Sequence, residues 1–173
     1  MNQVSRTLLS LHYRSALTTD RQALKALAWL SYSEYTQYMT PEDAVKLKTN
    51  MHSDAVWDSI LSVAQGFVCT CEDKIVGMSF LVPSGNAWDI FQAEWSYIRM
   101  VGVDPDLKGY GIASRLMQQC IAHARSTNET IVALHTSEKM NAARHIYEKQ
   151  GFKVLKEIAP RLGIRYWLYT MQL

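Results

Sequence analysis

The stretch VDPDLKGYGIASRLM, Val103 to Met117, constrains this chain more than any other. It follows an apolar run, Tyr97–Val103 (YIRMVGV), that reads as a strand. It leads into a segment in which Ile112, Leu116, Cys120 and Ala124 recur at i, i+4, with Ala113, Met117 and Ile121 beside them. A second β-rich run, ETIVALHT, comes next. Strand, helix and strand in this order require a crossover, with the two strands parallel and the helix packed on their sheet. At the turn into the helix, Gly109 and Gly111 follow Lys108. Two residues without Cβ let a backbone turn sharply, or let another group approach it closely. The first N–H groups of a helix have no intrahelical partner, and the helix dipole favours negative charge there. The turn is therefore a candidate anion site, with Lys108 as an added cation.

The flanking sequence extends this unit into a larger sheet. Ser5–Leu17 reads as a first strand. A helix follows, with Thr19 and Gln22 as a capping box and Leu24, Leu27, Ala28 and Leu30 at helical spacing. Thr40 before Pro41 caps a second helix, and Ser53 caps a third that Gly66 is expected to stop. FVCTC and KIVGMSFLV form a hairpin around Glu72-Asp73, and Pro83-Ser84-Gly85-Asn86 breaks its second strand. The aromatic stretch NAWDIFQAEW has no clear period. After ETIVALHT, SEKMNAARHIYEKQ reads as a helix capped by Ser137 and ended by Gly151, with two last strands, GFKVLKEI and IRYWLYTM. The expected class is α/β, a mixed sheet with helices on its faces, in one domain spanning residues 1–173.

Composition excludes several functions. A net charge of +2 is too small to point to nucleic acid. No run approaches the roughly 18 apolar residues of a membrane span. The N-terminus lacks the pattern of a secretory signal, so a cytoplasmic protein is expected. The three cysteines, Cys69, Cys71 and Cys120, read as free thiols. No set of residues has metal-ligand spacing, and no metal is expected.

The anion at the glycine turn can be narrowed. A Walker loop places Gly-Lys-Ser/Thr at its end, whereas Lys108 precedes the glycines. A Rossmann fingerprint needs a third glycine where Ser114 stands, and an acidic residue at the end of the following strand; Glu129 precedes that strand instead. A pyrophosphate held without a dinucleotide crevice remains.

With these residues in view, the segment resembles the acyl-CoA pyrophosphate motif of the GNAT superfamily of N-acetyltransferases, Arg/Gln-x-x-Gly-x-Gly/Ala after a strand ending in Val-x-Pro. Lys108, Gly111 and Ala113 fall on its named positions, and Gly109 on a frequent glycine. Lys108 replaces the usual Arg or Gln, keeping the charge but losing a planar fork. NAARHIYEKQGF is similar to the family's later helix, with Ala143, Tyr147, Gly151 and Phe152 matching. The family's frequent Asn is Met140 here, and Asn141 lies one place later. The resemblance implies a GNAT-like fold, a mostly antiparallel mixed sheet with helices on both faces. It also implies acetyl-CoA as acyl donor and acetyl transfer to a primary amine by direct attack in a ternary complex.

The resemblance also implies site residues. Met100, Val101 and Val103, in a strand that splays from its neighbour, offer backbone amides to the pantetheine and thioester. Lys108, Gly109, Tyr110, Gly111, Ile112, Ala113 and Ser114 hold the pyrophosphate, and Asn141 stands near the pantetheine arm. Tyr147 is the general acid, since a phenol of pKa about 10 protonates a thiolate with little mismatch. Glu94, before the central strand, is the candidate base, with Asp89, His135 and a water chain as alternatives. The aromatic stripe Trp29, Tyr32, Tyr35 and Tyr38 either packs in the core or lines the acceptor pocket. Trp88, Asp89, Phe91, Glu94 and Trp95 would form the opposite rim, and aromatics with carboxylates suit a cationic amine. The expected partner is a small-molecule amine or a peptide amine, with no nucleic acid or membrane, and exposed sheet edges leave a homodimer open. The competing reading is a non-catalytic acyl-CoA-binding module; a dinucleotide oxidoreductase is disfavoured by Ser114.

Overall fold

The computed structural model describes residues 9–173, so the part of the first expected strand at 5–8 lies outside the described residues. Its elements are β1 (Leu11–Ser15), α1 (Arg21–Tyr32), α2 (Pro41–His52), α3 (Asp54–Leu61), β2 (Gln65–Cys71), β3 (Lys74–Val82), β4 (Ser96–Val103), α4 (Ile112–Ser126), β5 (Ile131–Ser137), α5 (Asn141–Lys149), β6 (Lys153–Arg161) and β7 (Ile164–Gln172). A 3-10 turn, Ser33–Tyr38, continues α1 towards α2. The seven strands form one sheet in the order β1-β2-β3-β4-β5-β7-β6. Every neighbouring pair is antiparallel except β4 with β5, the parallel pair that the crossover demands.

The helices cover both faces. On one, α4 buries Ile112, Leu116, Met117, Cys120, Ile121 and Ala124, the stripe read from the sequence apart from half-buried Ala113. Ile112, Leu116, Met117 and Ile121 each contribute about 1.5–3 kcal/mol when fully buried. The helix lies very close to β3: a Cβ on Gly77 would stand 2.5 Å from Ile112 Cγ2. On the other face, Leu24, Leu27, Ala28, Trp57 and Ile60 of α1 and α3 pack on Val68, Met78 and Phe80. Cys69, Cys71 and Cys120 are free thiols. No helix among the described residues is long and apolar enough to cross a membrane.

Several local signals acted as expected. Thr40 Oγ1 accepts the Asp43 N–H, and Ser53 Oγ accepts that of Val56. Glu72 and Asp73 both adopt positive φ, 48° and 64°, as a two-residue hairpin turn requires. Others were overridden by contacts from elsewhere. The first helix begins at Arg21 after a 3-10 turn, because Asp20 rather than Thr19 organises its start. The Asp20 carboxylate accepts the Leu17 N–H at 2.8 Å and both Nη groups of Arg14 at 2.7 and 2.9 Å. Leu30 is 42% exposed, while Ser31 takes the buried place against Gly102. Gly66 does not stop α3; it lies within β2, where a Cβ would meet the Phe80 ring at 2.5 Å. Ser137 ends β5 and α5 starts only at Asn141.

The feature that shapes the site is a defect in β4. The register with β3 shifts between Met78 and Phe80, so that Met100 and Val101 together face Ser79. Met100 has φ 54°, a left-handed conformation rare outside glycine. Such bulges bend a strand and end its pairing. On its other side β4 pairs with β5 only at Ser96↔Val132 and Tyr97↔Ala133. From Ile98 onward the two strands part.

Candidate active site

The donor side is built from backbone. Gly109 and Gly111 have φ 85° and 77°, and nothing lies within 4 Å of where either Cβ would be, so this surface is open as well as glycine-dependent. Gly111 caps α4 in the left-handed conformation. The first α4 amide to find a backbone partner is that of Arg115, bonded to Gly111 O, which leaves the amides of Ile112, Ala113 and Ser114 at the helix mouth. Ile112 and Val103 direct their side chains into the core, so anything they offer a ligand is main-chain. Tyr110 is 45% exposed beside them. Ser114 is anchored to α5: its carbonyl and hydroxyl accept hydrogen bonds from Gln150 Nε2 at 2.9 and 3.1 Å. These features suit a pyrophosphate.

Lys108 has a partner the sequence did not indicate. Its Nζ donates to both carboxylate oxygens of Glu34, 74 residues away, at 2.7 and 2.8 Å. A groove of about 210 Å³ brings these two residues together with Tyr35, Tyr38 and Asn141. Asn141, the first residue of α5, is exposed on this groove, whereas Met140 accepts a weak hydrogen bond from Thr136 Oγ1 through its sulfur.

Tyr147 lies where the strands part. It is buried with Leu81, Ile98, Cys120 and Leu134, and its ring meets Phe152 edge-on at 6.2 Å. Burial, then the proximity of Tyr35 and Cys120, holds its phenol well above the usual tyrosine pKa, so it stays protonated. The side chains it senses, Tyr35 and Tyr32, come from the opposite helical layer. Tyr32 donates its hydroxyl to Val101 O at 2.9 Å, binding that layer to the bulged segment of β4. Of the aromatic stripe, Trp29 packs near His52, Tyr38 is 49% exposed, and Tyr32 and Tyr35 face the gap.

The acceptor side is made of side chains from distant segments. Phe91 and Tyr97 stack with their centroids 4.3 Å apart, and Trp88 continues the stack. Arg99 lays its guanidinium over the Trp88 ring, 3.8 Å from the centroid. Burial lowers the Arg99 pKa, with Tyr97, Tyr32 and Asp89 opposing the shift. Asp89 is bound to Arg161 at 2.5 Å. His135 sits between Phe91 and Tyr166, at 5.7 and 5.5 Å, and its Nδ1 is buried without a hydrogen-bond partner. Burial, with help from Arg161 and Arg99, drops its pKa to about 4, so it is neutral at pH 7.

Glu94 lies in the turn leading into β4, exposed, with no ion pair among the described residues. Trp95 beside it is buried. The groups that cluster with Tyr147 are Tyr35, Tyr32 and Cys120, not Glu94. The sequence reading passed over Arg99, Arg161, Tyr166 and Glu34. Only Arg99 carried a visible signal, as a lone charge inside the apolar run YIRMVGV.

Comparison with known proteins agrees with this geometry. The model of the acetyltransferase (GNAT) family matches residues 22–152. The chain belongs to the GNAT acetyltransferase family. Among curated GNAT relatives, camello of Xenopus tropicalis, named as an N-acetyltransferase, is 30% identical over 106 residues, 61% of this chain and 46% of its own length. An uncharacterized N-acetyltransferase of Methanocaldococcus jannaschii is 33% identical over 89 residues, 50% of this chain and 38% of its own. The match thus spans less than half of either relative. Among solved structures, the PaiA N-acetyltransferase of Thermoplasma acidophilum in complex with coenzyme A superposes with a TM-score of 0.77 at 13% identity, covering 95% of this chain and 99% of that one. The yncA structure from Salmonella typhimurium with its cofactor acetyl-CoA gives 0.69 at 16% identity, covering 94% of each chain. These likenesses establish the GNAT fold, including its seven-stranded mixed sheet.

Proposed function

We propose that the chain is an N-acetyltransferase that moves the acetyl group of acetyl-CoA to a primary amine, by direct attack within a ternary complex in a single domain. The observation that supports this reading most is the loss of the β5 partner of β4 beyond Tyr97, with Tyr147 buried against Ile98 and Leu134 of the parting strands and the open glycine turn following the end of β4. Acetyl-CoA would supply the activated thioester. The chain's own part is mostly positioning. The amides of Ile112, Ala113 and Ser114, with Gly109, Tyr110, Gly111 and Lys108, suit the pyrophosphate. The segment Met100–Val103 has lost its β5 partner and so has main-chain groups free to hold the pantetheine and polarise the thioester carbonyl, with Asn141 near the arm. Tyr147 is the donor of a proton to the departing thiolate; burial raises its phenol pKa in the free chain, which widens the mismatch with the thiol, so the transfer draws on the negative charge that develops on the sulfur beside it. Glu94, in no ion pair among the described residues, takes the proton of the amine through intervening water.

Thiol release from acetyl-CoA with a panel of amines tests the proposal. Tyr147→Phe should leave the acetyl-CoA Kd unchanged and lower kcat at least about tenfold, the usual scale of a general acid. Glu94→Gln in the same assay should remove the acidic limb of the pH–rate profile. Unchanged turnover in Tyr147→Phe overturns the assignment of the acid. Coenzyme A binding with no thiol release for any amine would leave a binding module instead.

A further inference from the structure

The acceptor side holds more cationic than anionic side chains. Arg99 has no carboxylate within ion-pair distance among the described residues, although its guanidinium is half-buried and stacked on Trp88. Sheltering a guanidinium without a counter-charge is unfavourable unless something completes the site. Its neighbour Asp89 does not do so, because that carboxylate is taken by Arg161 at 2.5 Å. Arg161 in turn keeps a buried Nε with no partner, and His135 keeps a buried Nδ1. Two guanidiniums, one carboxylate and a neutral imidazole leave one positive charge uncompensated. The expected rim of carboxylates for a cationic amine is therefore not what lines this face: one carboxylate is neutralised, and Glu94 is exposed outside it.

Arg99 also stands at the point where the reaction would occur. It lies two residues beyond Tyr97, the last β4 residue paired with β5, and immediately precedes the bulge residue Met100. It shares the Tyr97 face of the strand, opposite Ile98, which belongs to the core under α4 and α5. A group gripped by its fork is thus held by the residue next to the bulged main chain that is proposed for the thioester.

We infer that the acceptor is a small amine that also carries a carboxylate, an amino acid rather than a polyamine, and that Arg99, stacked on Trp88, binds that carboxylate. A planar guanidinium matches a carboxylate with two parallel N–H···O bonds, and the Trp88 ring holds the fork flat in one orientation. Phe91 and Tyr97 then provide an apolar wall for the amino acid's side chain. A phosphate would satisfy the same donors, so phosphorylated amines belong in the test. The inference rests on the acetyl-transfer reading for the amine and on Arg99 alone for the anion.

The experiment uses the whole chain with coenzyme A present. It compares amino acids with their carboxamides, with the amines lacking the carboxylate, with polyamines and with phosphoethanolamine. Loss of one partner of a sheltered charge pair predicts that amino acids exceed their carboxamides in kcat/KM by at least about 30-fold, mainly through KM. Arg99→Met should abolish that preference by lowering kcat/KM for the amino acids, with the acetyl-CoA Kd unchanged; Arg99→Lys, which keeps the charge and guards against misfolding, should restore part of it. Ligand-induced rise in Tm reads the same subsite without turnover. Amines acetylated with no preference for a carboxylate would overturn the inference and leave acetyl transfer standing. Preference for phosphoethanolamine would replace the carboxylate by a phosphate. Arg99-dependent binding of amino acids with no acetylation would sink the transfer reading and leave the anion subsite.

Discussion

The two sides of the gap between β4 and β5 are built by opposite means. The proposed donor side is a continuous piece of chain, Met100 to Ser114, whose features are main-chain amides and two glycines at positive φ. The acceptor side takes Trp88, Asp89 and Phe91 from a loop, Arg99 from β4, His135 from β5, Arg161 from the end of β6 and Tyr166 from β7. In the proposed reaction the first would recognise the coenzyme, a group common to the family, and the second the amine. Main chain suits the constant task, because most substitutions leave it unchanged; side chains suit the variable one. Changes on the acceptor side should therefore move amine selectivity and the stability of that corner, and changes on the donor side should move coenzyme affinity alone.

The largest expected effect comes from His135. Its pKa is about 4 in the folded chain, against an ordinary 6.5. The folded state then resists a proton that the unfolded state accepts, so its stabilising contribution is complete above pH 6.5 and is lost as pH falls towards 4. A shift of this size is worth about 3 kcal/mol across that window. Denaturant unfolding of His135→Gln should show a flatter pH profile between 4 and 6.5 than the parent chain. Equal slopes would mean that the folded chain accepts a proton on His135 as readily as the unfolded chain does, and the acceptor side would gain a second surplus positive charge as pH falls below 6.5.

Gly111→Val should act on the other side only. The space where its Cβ would go is empty, so the strain comes wholly from φ 77° in a β-branched residue. A cost of order 1–3 kcal/mol at the mouth of α4 should weaken acetyl-CoA binding by roughly tenfold or more. The ratio of kcat/KM between two amines should stay as it was. If that ratio shifts, the two sides are coupled through β4 and the separation fails.

This division also decides what could be read from the sequence. The donor side was legible because its determinants are local. A strand, Lys108, Gly109, Gly111 and the stripe from Ile112 to Ala124 follow one another, and the parallel β4–β5 pair follows from their order. The acceptor side was legible only in part: Trp88, Asp89 and Phe91 were expected on its rim and His135 near it, but no spacing in the sequence relates Asp89 to Arg161 or Trp88 to Arg99. The bulge at Met100 gave no sign either, since methionine has no preference for positive φ. The helix starts were half legible. Thr40 and Ser53 cap their own helices, but Asp20 displaced Thr19 by drawing on Arg14, a residue of the neighbouring strand.

The smallest expected effect is the most direct probe of the border between the two sides. Glu34, from the 3-10 turn after α1, holds Lys108, the residue of the glycine turn that departs from the family motif. The two side chains are 38% and 54% exposed, so the pair itself is worth no more than about 1 kcal/mol. A pyrophosphate must share Lys108 with Glu34 and also meets a carboxylate of like charge. Glu34→Gln frees the ammonium and removes the repulsion, so acetyl-CoA should bind about two- to fivefold more tightly at low salt, and the gain should shrink as salt screens it. Lys108→Ala should weaken binding by a similar factor. In the double variant most of the gain from Glu34→Gln should vanish, because the ammonium it liberates is gone. Tighter binding that persists in the double variant would reduce Glu34 to a long-range repulsive charge. Weaker binding in Glu34→Gln alone would reverse the assignment: Glu34 would then be the group that aims Lys108 at the coenzyme, and the 3-10 turn would belong to the donor side.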